Sequence, residues 1–366
     1  MKILHIGQLI GGLDIYIRNT ITYTNDSFEY VIVHGVSDKN QPIIKNKKRI
    51  KEYSISLYRE LNFIRDLKGF WQILQIIKKE RPDIIHCHSA KGGFIGRFAG
   101  FITGTKTFYT PHAFSFLSSP NKLKRQIFLT LEKMAKLDSY LLACSNSEKD
   151  LGIKYVHYKK NKALVWSNSV PDAQNVKYPE NKPSTPYICY IGRPSYQKNP
   201  FFLINVINMV HKKHADILFY ILGVGYYSPD LEKMKKMIID YQLEKTVILL
   251  PWINHDEAMG YVKNSLFYLT TSRYEGLPLA VIEAMSLQKC IIASDVSGNK
   301  DCVQNNYNGF LLPLEETLFA NKINELIEDP YKRETLEKNS RTLFEEKFLI
   351  KKQIQNLEKI YISKSS

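Results

Sequence analysis

The chain has 366 residues, enough for two ordinary domains with separate cores. Its apolar and charged fractions, 44% and 24%, are those of a globular protein, and no apolar run is long enough to span a bilayer. The net charge of +15 is uneven: residues 1–170 hold 27 Lys/Arg against 13 Asp/Glu, and residues 171–366 hold 24 against 23. A basic surplus confined to one half implies a polyanionic partner for that half.

Residues 3–10 read as a strand followed by Gly11-Gly12 and a helix, LDIYIRNTITY. The start is a strand and turn rather than a signal peptide, because no small-residue cleavage site follows an apolar core. YVIVHG is a second strand, and KNKKRIK a polar loop with five basic residues in seven. Residues 58–79 carry Leu61, Ile64, Leu67, Phe70, Trp71, Leu74 and Ile77 at helical spacing. DIIHCH is a strand whose alternation puts His86 and His88 on one face. No third ligand is visible nearby, so packed or hydrogen-bonded histidines are expected.

SAKGGFIGRFAGFITG reads as a Gly-rich helix. Gly92, Gly96 and Gly100 suit close packing on a sheet, while Lys91 stands where an acceptor phosphate would lie. In TFYTPHAFSF a strand runs into Pro111, and His112 follows its end, where it can serve as polar contact or acid/base group. KLKRQIFLTLEKMAK is a basic amphipathic helix with Leu123, Ile127, Leu131 and Met134 on one side. SYLLACS and ALVWSNSVPD add strands, with a helix starting at NSEKDLG between them. Residues 172–185, polar and holding Pro179 and Pro183, read as a linker.

The second half restarts with the strand PYICYIG. Arg193 and Lys198 sit in the loop after it, where two cations would neutralise a diphosphate. ILFYILGVG is a strand ending at Gly223 and Gly225, and VILLPW another; HDEAMGYVKNS is a helix. Residues 266–296 read strand, turn, helix, strand. Pro278 is expected at the first helical position. Alternating strands and helices imply a parallel sheet, with ligands beyond the carboxyl ends of its strands. Glu275 lies in that turn and Glu283 inside the helix, with seven residues between them. The amides of Gly276, Leu277 and Leu279 would open at the helix start, an anion site. Glu283 then suits both hydroxyls of a ribose, and Glu275 a sugar. A last strand and a helical stretch over 320–347 follow, then a terminal helix over 353–363. The five cysteines, Cys87, Cys144, Cys189, Cys290 and Cys302, are scattered without a C-x-x-C pair, as expected of reduced buried thiols in a cytosolic protein.

RYEGLPLAVIEAM resembles the E-x7-E signature of retaining glycosyltransferases of family 4, which have the GT-B fold. The likeness extends over most of the chain. Gly192, Arg193, Lys198 and Asn199 match the family's G-R-x4-K arrangement, and His112 its histidine near the reacting sugar. Two departures stand out: Ala113 where the family more often has Gly, and LQKC where it has small residues and Gly-x-Pro. The resemblance implies two doubly wound, Rossmann-like domains facing each other across a cleft: residues 1–172 on the acceptor side, 173–347 binding the nucleotide sugar, and 348–366 as a helix crossing back. It implies donor contacts at Gly12, Gly192, Arg193, Lys198, Gly223, Ile253, Glu275, Gly276, Leu277, Pro278, Leu279 and Glu283. His112, Glu275, Arg193 and Lys198 would serve catalysis, and His88 and Lys91 the acceptor side.

The resulting expectation is a retaining hexosyltransferase using a nucleotide sugar, most simply a UDP-sugar. Its acceptor would be a polyprenyl-diphosphate-linked glycan in surface polysaccharide or O-antigen synthesis. The enzyme would be peripheral on the cytoplasmic face of the membrane, drawn to anionic lipid by its basic half. No Asp-x-Asp is present and cations can replace a metal, so no metal cofactor is expected. Two rivals remain at the sequence level. One is a non-catalytic polyanion-binding protein, although no aromatic-interleaved or helix-turn-helix pattern favours nucleic acid. The other is a GT-B epimerase or phosphorylase.

Overall fold

A computed structural model describes residues 1–37, 41–57, 62–179, 183–225 and 228–365. The chain divides into two compact units, residues 1–169 with 350–366, and residues 170–349. The sequence had placed these divisions near 172 and 347.

The first unit is built on strands β1 (Lys2–Leu9), β2 (Glu29–Ser37), β5 (Lys51–Ser54), β6 (Ile84–His88), β7 (Lys106–Thr110), β8 (Tyr140–Ala143) and β9 (Ala163–Val165). They form one parallel sheet in the order β5-β2-β1-β6-β7-β8-β9. Strands covered on both faces become continuous apolar runs, and Ile3, Leu4, Ile6, Ile84 and Ile85 are fully buried. Helices α1 (Gly12–Tyr23), α2 (Phe63–Glu80), α3 (Ser89–Thr103), α4 (Lys122–Ala135) and α5 (Asn146–Leu151) connect them. The basic loop is a small hairpin, β3 (Ile44–Lys45) and β4 (Lys48–Arg49), turned through Asn46 and Lys47, both at positive φ. Its first lysine is not a surface charge: Lys45 is buried, and its ammonium donates to the carbonyls of Asn25 and Phe28.

The glycines of α3 are there for packing. A Cβ on Gly96 would fall 2.5 Å from the Cys87 side chain, and one on Gly92 3.0 Å from the Ile6 carbonyl. One amphipathic reading holds in part and one inverts. In helix α2 the expected stripe splits: Ile77 is buried and Phe70 and Leu74 pack on the core, while Ile64, Leu67 and Trp71 are exposed and residues 58–61 lie outside the described set. Helix α4 leaves Leu123, Ile127, Leu131 and Met134 exposed and buries Glu132. Glu132 is drawn inward by Arg97, whose Nη2 donates to it at 2.8 Å, and by the Tyr109 hydroxyl at 2.9 Å. The Arg97 guanidinium also lies 3.8 Å over the Tyr109 ring.

The second unit is a six-stranded parallel sheet of β10 (Tyr187–Ile191), β11 (Leu218–Val224), β12 (Val247–Pro251), β13 (Tyr268–Thr270), β14 (Ile291–Ser294) and β15 (Gly309–Leu312), ordered β12-β11-β10-β13-β14-β15. Helices α6 (Pro200–His211), α7 (Leu231–Asp240), α8 (His255–Asn264), α9 (Leu279–Ser286), α10 (Asn299–Cys302), α11 (Glu316–Glu328) and α12 (Pro330–Lys347) accompany it. The stretch expected to be helical over 320–347 is two helices, α11 and α12. Asp329 caps the second by accepting from the Lys332 amide, and Pro330 opens it. Pro278 stands one residue earlier than expected, as the N-cap of α9. The last helix, α13 (Ile350–Ser365), belongs with the first unit, where the Tyr361 hydroxyl bonds His86.

All five cysteines are buried and none forms a disulfide. Glu132→Ala strands the Arg97 charge in the interior, and the loss should be about 3–5 kcal/mol. Urea unfolding checks it; a change under about 1 kcal/mol would mean that Arg97 finds water.

Candidate functional site

In the second unit the chain runs from β10 out to β11 and β12, then returns to β13 on the other side of β10. The order reverses between β10 and β13, and a crevice at such a point is where doubly wound sheets take ligands. Gly192 and Arg193 follow β10, Gly223 lies at the end of β11, Ile253 follows β12, and Glu275 follows β13. The expected donor residues of the second unit thus share one sheet edge, while Gly12 lies in the first unit.

Two loops are fastened together there. The Lys198 carbonyl accepts from the Tyr190 hydroxyl at 2.7 Å and from Thr271 Oγ1 at 3.1 Å. The Arg273 amide donates to the Gln197 carbonyl at 2.8 Å. The side chains then meet: Lys198 Nζ lies 2.5 Å from Glu275 Oε1, which also accepts from Ser272 Oγ at 2.7 Å, and Gln197 Nε2 donates to Glu275 Oε2 at 3.2 Å. Glu275 is buried and charge-matched before any ligand arrives.

Behind the turn stands a support that sequence reasoning missed. The Glu275 amide donates to the Ser297 carbonyl, and Ser297 Oγ donates to the Glu275 carbonyl, each at 3.2 Å. Gly298, at φ 80°, leaves no room for a side chain: a Cβ would fall 2.7 Å from the Gly276 carbonyl oxygen and 2.8 Å from Glu275 Cβ. The signal was a Gly just after a strand at the ligand edge, in VSGNKD.

Glu283 faces an unforeseen partner. His255, at the start of α8, places Nε2 2.7 Å from Glu283 Oε1. The His255 side chain is 39% exposed and Glu283 9%, so the histidine reaches solvent while orienting the carboxylate. Sequence reasoning had assigned Glu283 to a ribose with no group to aim it.

In the first unit the order reverses between β1 and β6. Gly12 opens α1 after β1, His88 ends β6, and His112 follows β7. The expected histidine pair is in fact four rings. His5 on β1 pairs in register with His86 on β6, and neither it nor His86 nor His88 has any exposed surface. His5, His86 and His88 bring ring nitrogens within 4.8 Å of one another, so a third potential metal ligand exists across the strands after all. Hydrogen bonds use these nitrogens instead. His5 Nδ1 lies 2.9 Å from His88 Nε2, and His88 Nδ1 3.2 Å from His112 Nε2. His86 faces the Tyr361 hydroxyl at 2.7 Å and Thr110 Oγ1 at 2.8 Å.

His88, expected to face the acceptor, therefore sits behind His112 and reaches no surface. Lys91, expected to meet an acceptor phosphate, pairs with Asp66 at 2.6 Å. His112 and Ala113 both adopt positive φ, 51° and 83°. Ala113 holds this strained form because its amide donates to the buried Glu148 carboxylate at 2.7 Å, which also accepts from the Cys144 amide at 2.9 Å. Glu148 was not foreseen; its only mark was the S-x-x-E cap pattern at Ser145. Tyr16 closes the edge of the cluster, 4.9 Å from the His112 ring centroid.

Burial lowers the His5 pKa to about 3, and His86 and His88 are pushed well below their ordinary value by burial first and neighbouring rings second.

A family described as "Glycosyl transferases group 1" matches residues 173–343, and one described as "Glycosyltransferase Family 4" matches residues 10–174. The chain is 29% identical over 322 residues to an Escherichia coli protein named "UDP-Gal:alpha-D-GlcNAc-diphosphoundecaprenol alpha-1,3-galactosyltransferase", covering 84% of this chain and 82% of that one. It is 26% identical to the Staphylococcus aureus capsular polysaccharide biosynthesis glycosyltransferase CapM, covering 86% and 87%. Among solved structures, sucrose-phosphate synthase from Thermosynechococcus elongatus superposes with a TM-score of 0.85 at 17% identity, covering 99% of this chain and 98% of that one. Anabaena HepE in complex with UDP and glucose gives 0.80 at 17%, covering 99% of both.

A histidine kept neutral by the fold stabilises it only above the unfolded pKa. For His5 the stability is complete above about pH 6.5 and is lost as pH falls toward 3, because the unfolded chain binds the proton more readily. By pH 5 His5 alone should remove about 2 kcal/mol. Unfolding followed by Trp166, buried in the same unit, checks this; a midpoint flat from pH 7.5 to 5 would contradict a neutral cluster.

Proposed function

We propose that this chain, which belongs to the family 4 glycosyltransferases of the GT-B fold, transfers a hexose from a UDP-sugar to a polyprenyl-diphosphate-linked glycan, with retained anomeric configuration, in surface polysaccharide synthesis. The observation that carries the reading is the Lys198–Glu275 pair at the reversal point of the second sheet, with Glu283 on the helix that follows. A bound diphosphate would compete with Glu275 for the Lys198 ammonium. Arg193 and the start of α9 add positive character, so the departing charge is met by fixed groups. That arrangement supports a metal-independent transfer. Glu283, aimed by His255, accepts from the ribose hydroxyls, and Glu275 faces the sugar; His112 is the polar group that the first unit offers to a sugar.

The basic partner surface belongs to the first unit. With α13 included, that unit holds 31 Lys/Arg against 14 Asp/Glu, whereas the second holds 20 against 22. Helices α2 and α4 both pack against α3. Between them they expose Trp71, Leu67, Leu123, Ile127 and Met134, with Phe101 and Ile102 from α3. Lys122, Lys124 and Arg125 flank this face. Apolar side chains beside basic ones suit the interface of an anionic membrane, where each basic residue adds about 1 kcal/mol. Among the described residues, no helix is long and apolar enough to cross a membrane. The enzyme would therefore act peripherally on the cytoplasmic leaflet, beside a lipid-linked acceptor.

Incubation with labelled UDP-hexoses and a polyprenyl-diphosphate-linked N-acetylhexosamine tests the reaction. An α-linked product formed at equal rate with and without EDTA is expected. A β-linked product would sink retention, chelator-sensitive turnover would sink metal independence, and epimer formed without acceptor would replace transfer. Lys198→Ala should lose turnover by about 10²-fold or more while folding normally. Glu283→Gln should weaken binding of free UDP, which calorimetry reads directly. Liposome flotation tests the membrane face: binding should need anionic lipid, fall with salt, and drop when Ile127 becomes Glu or when Lys122, Lys124 and Arg125 become Gln. Equal recovery with neutral vesicles would point to a soluble acceptor.

A further inference from the structure

His5, His88 and His112 form a line of two imidazole–imidazole hydrogen bonds, running from a fully buried end to a partly exposed one. A neutral imidazole carries one N–H, so the line can be polarised in only two ways. In one, His5 Nδ1–H donates to His88 Nε2, and His88 Nδ1–H donates to His112 Nε2. The His112 proton then sits on Nδ1. In the other every bond reverses, and His112 Nδ1 is a bare acceptor.

The buried end decides between them. His5 Nε2 is buried and has no hydrogen-bond partner among the described residues. The reversed line would put an N–H there, an orphaned donor in the interior, whereas the forward line leaves a bare lone pair. Buried unpaired donors are the rarer of the two in folded proteins. His86 cannot supply a proton to change this. Thr110 spends its only hydroxyl hydrogen on the Leu142 carbonyl, at 2.7 Å, so it must accept from His86 Nε2–H. His86 Nδ1 then accepts from the Tyr361 hydroxyl.

We propose that His5 and His88 are positioning residues that hold His112 with its proton on Nδ1, as a hydrogen-bond donor to an oxygen of the bound sugar rather than as a base. Burial lowers the His5 and His112 pKa values to about 3, so the line stays neutral under working conditions. No hydrogen-bond partner for His112 Nδ1 exists among the described residues, which leaves that N–H for a ligand. The left-handed backbone at His112 and Ala113, pinned by Glu148, fixes where it points. The functional half of the proposal rests on the reading of His112 as a sugar contact; the tautomer does not.

The full chain labelled with 15N-histidine tests the tautomer by two-bond 15N–1H correlation, with the His112 signals identified by their absence in His112→Gln. The expected pattern is a protonated Nδ1 and a bare Nε2 on His112. His5→Leu should scramble that pattern and lower kcat roughly tenfold or more with little change in the donor KM. His5→Asn, whose amide N–H reaches the Nδ1 position, should restore both. A wild-type His112 protonated on Nε2 would overturn the proposal. So would His5→Leu with an unchanged His112 pattern, or one bound metal ion per chain by elemental analysis, since ligand nitrogens cannot carry the line's protons. If His5→Leu fails to fold, the wild-type spectrum still decides the direction. Full turnover in His112→Ala would overturn the ring's part in the reaction even where the tautomer is as expected, which separates the two failures.

Discussion

A carboxylate held away from water at the edge of a sheet must be met by donors, and the second unit is arranged around meeting Glu275. Lys198, Ser272 and Gln197 all converge on it. To bring Lys198 there, its carbonyl is held by Tyr190 from β10 and Thr271 beyond β13. To hold the turn itself, the chain after β14 grips both the amide and the carbonyl of Glu275. Gly298 is the geometric consequence, since any side chain there would meet the turn. A pair formed in advance holds the ammonium in place, which is the advantage of a preorganised site.

The same constraint shapes the first unit with neutral groups. Four histidines at a sheet reversal cannot all be charged in the interior, so burial makes them neutral and their hydrogen bonds choose the tautomers. Glu148 supplies a fixed carboxylate beside them, and it is spent on the amides of Ala113 and Cys144. That use explains how Ala113 occupies a conformation that Gly adopts more easily. The Cβ strain there is offset by a charge-assisted hydrogen bond, and His112 is displayed as a result.

Helix α4 shows a buried pair setting the outer surface. Its stripe of Leu123, Ile127, Leu131 and Met134 would pack well against a core. Glu132 lies on a neighbouring face, and only one face can turn inward. Arg97, Tyr109 and Ser115 offer three donors to Glu132, so that face wins and the apolar stripe points outward among lysines. The exposed apolar stripe of α4 thus follows from an interior ion pair.

Much was legible in the sequence, because its signals are local. Strand runs, Gly-rich turns and the E-x7-E and G-R-x4-K spacings lie within single strand–turn–helix units, and such units imply a parallel sheet with a ligand edge. What escaped was helix α7, the polar strands β3, β4 and β5, whose charged sequence looks like loop, and the break at Asp329-Pro330. What the tertiary structure decided was which side chains meet across elements. His5 is 83 residues from His88, and Lys198 is 77 from Glu275; no local pattern joins them. Register between β1 and β6, and the crossing order of β10 and β13, bring them together. Helix faces also belong here, since periodicity finds an apolar stripe but cannot say whether it turns inward. That choice depends on a partner such as Arg97, which sits on another helix and competes through a buried charge that hydrophobic spacing does not register.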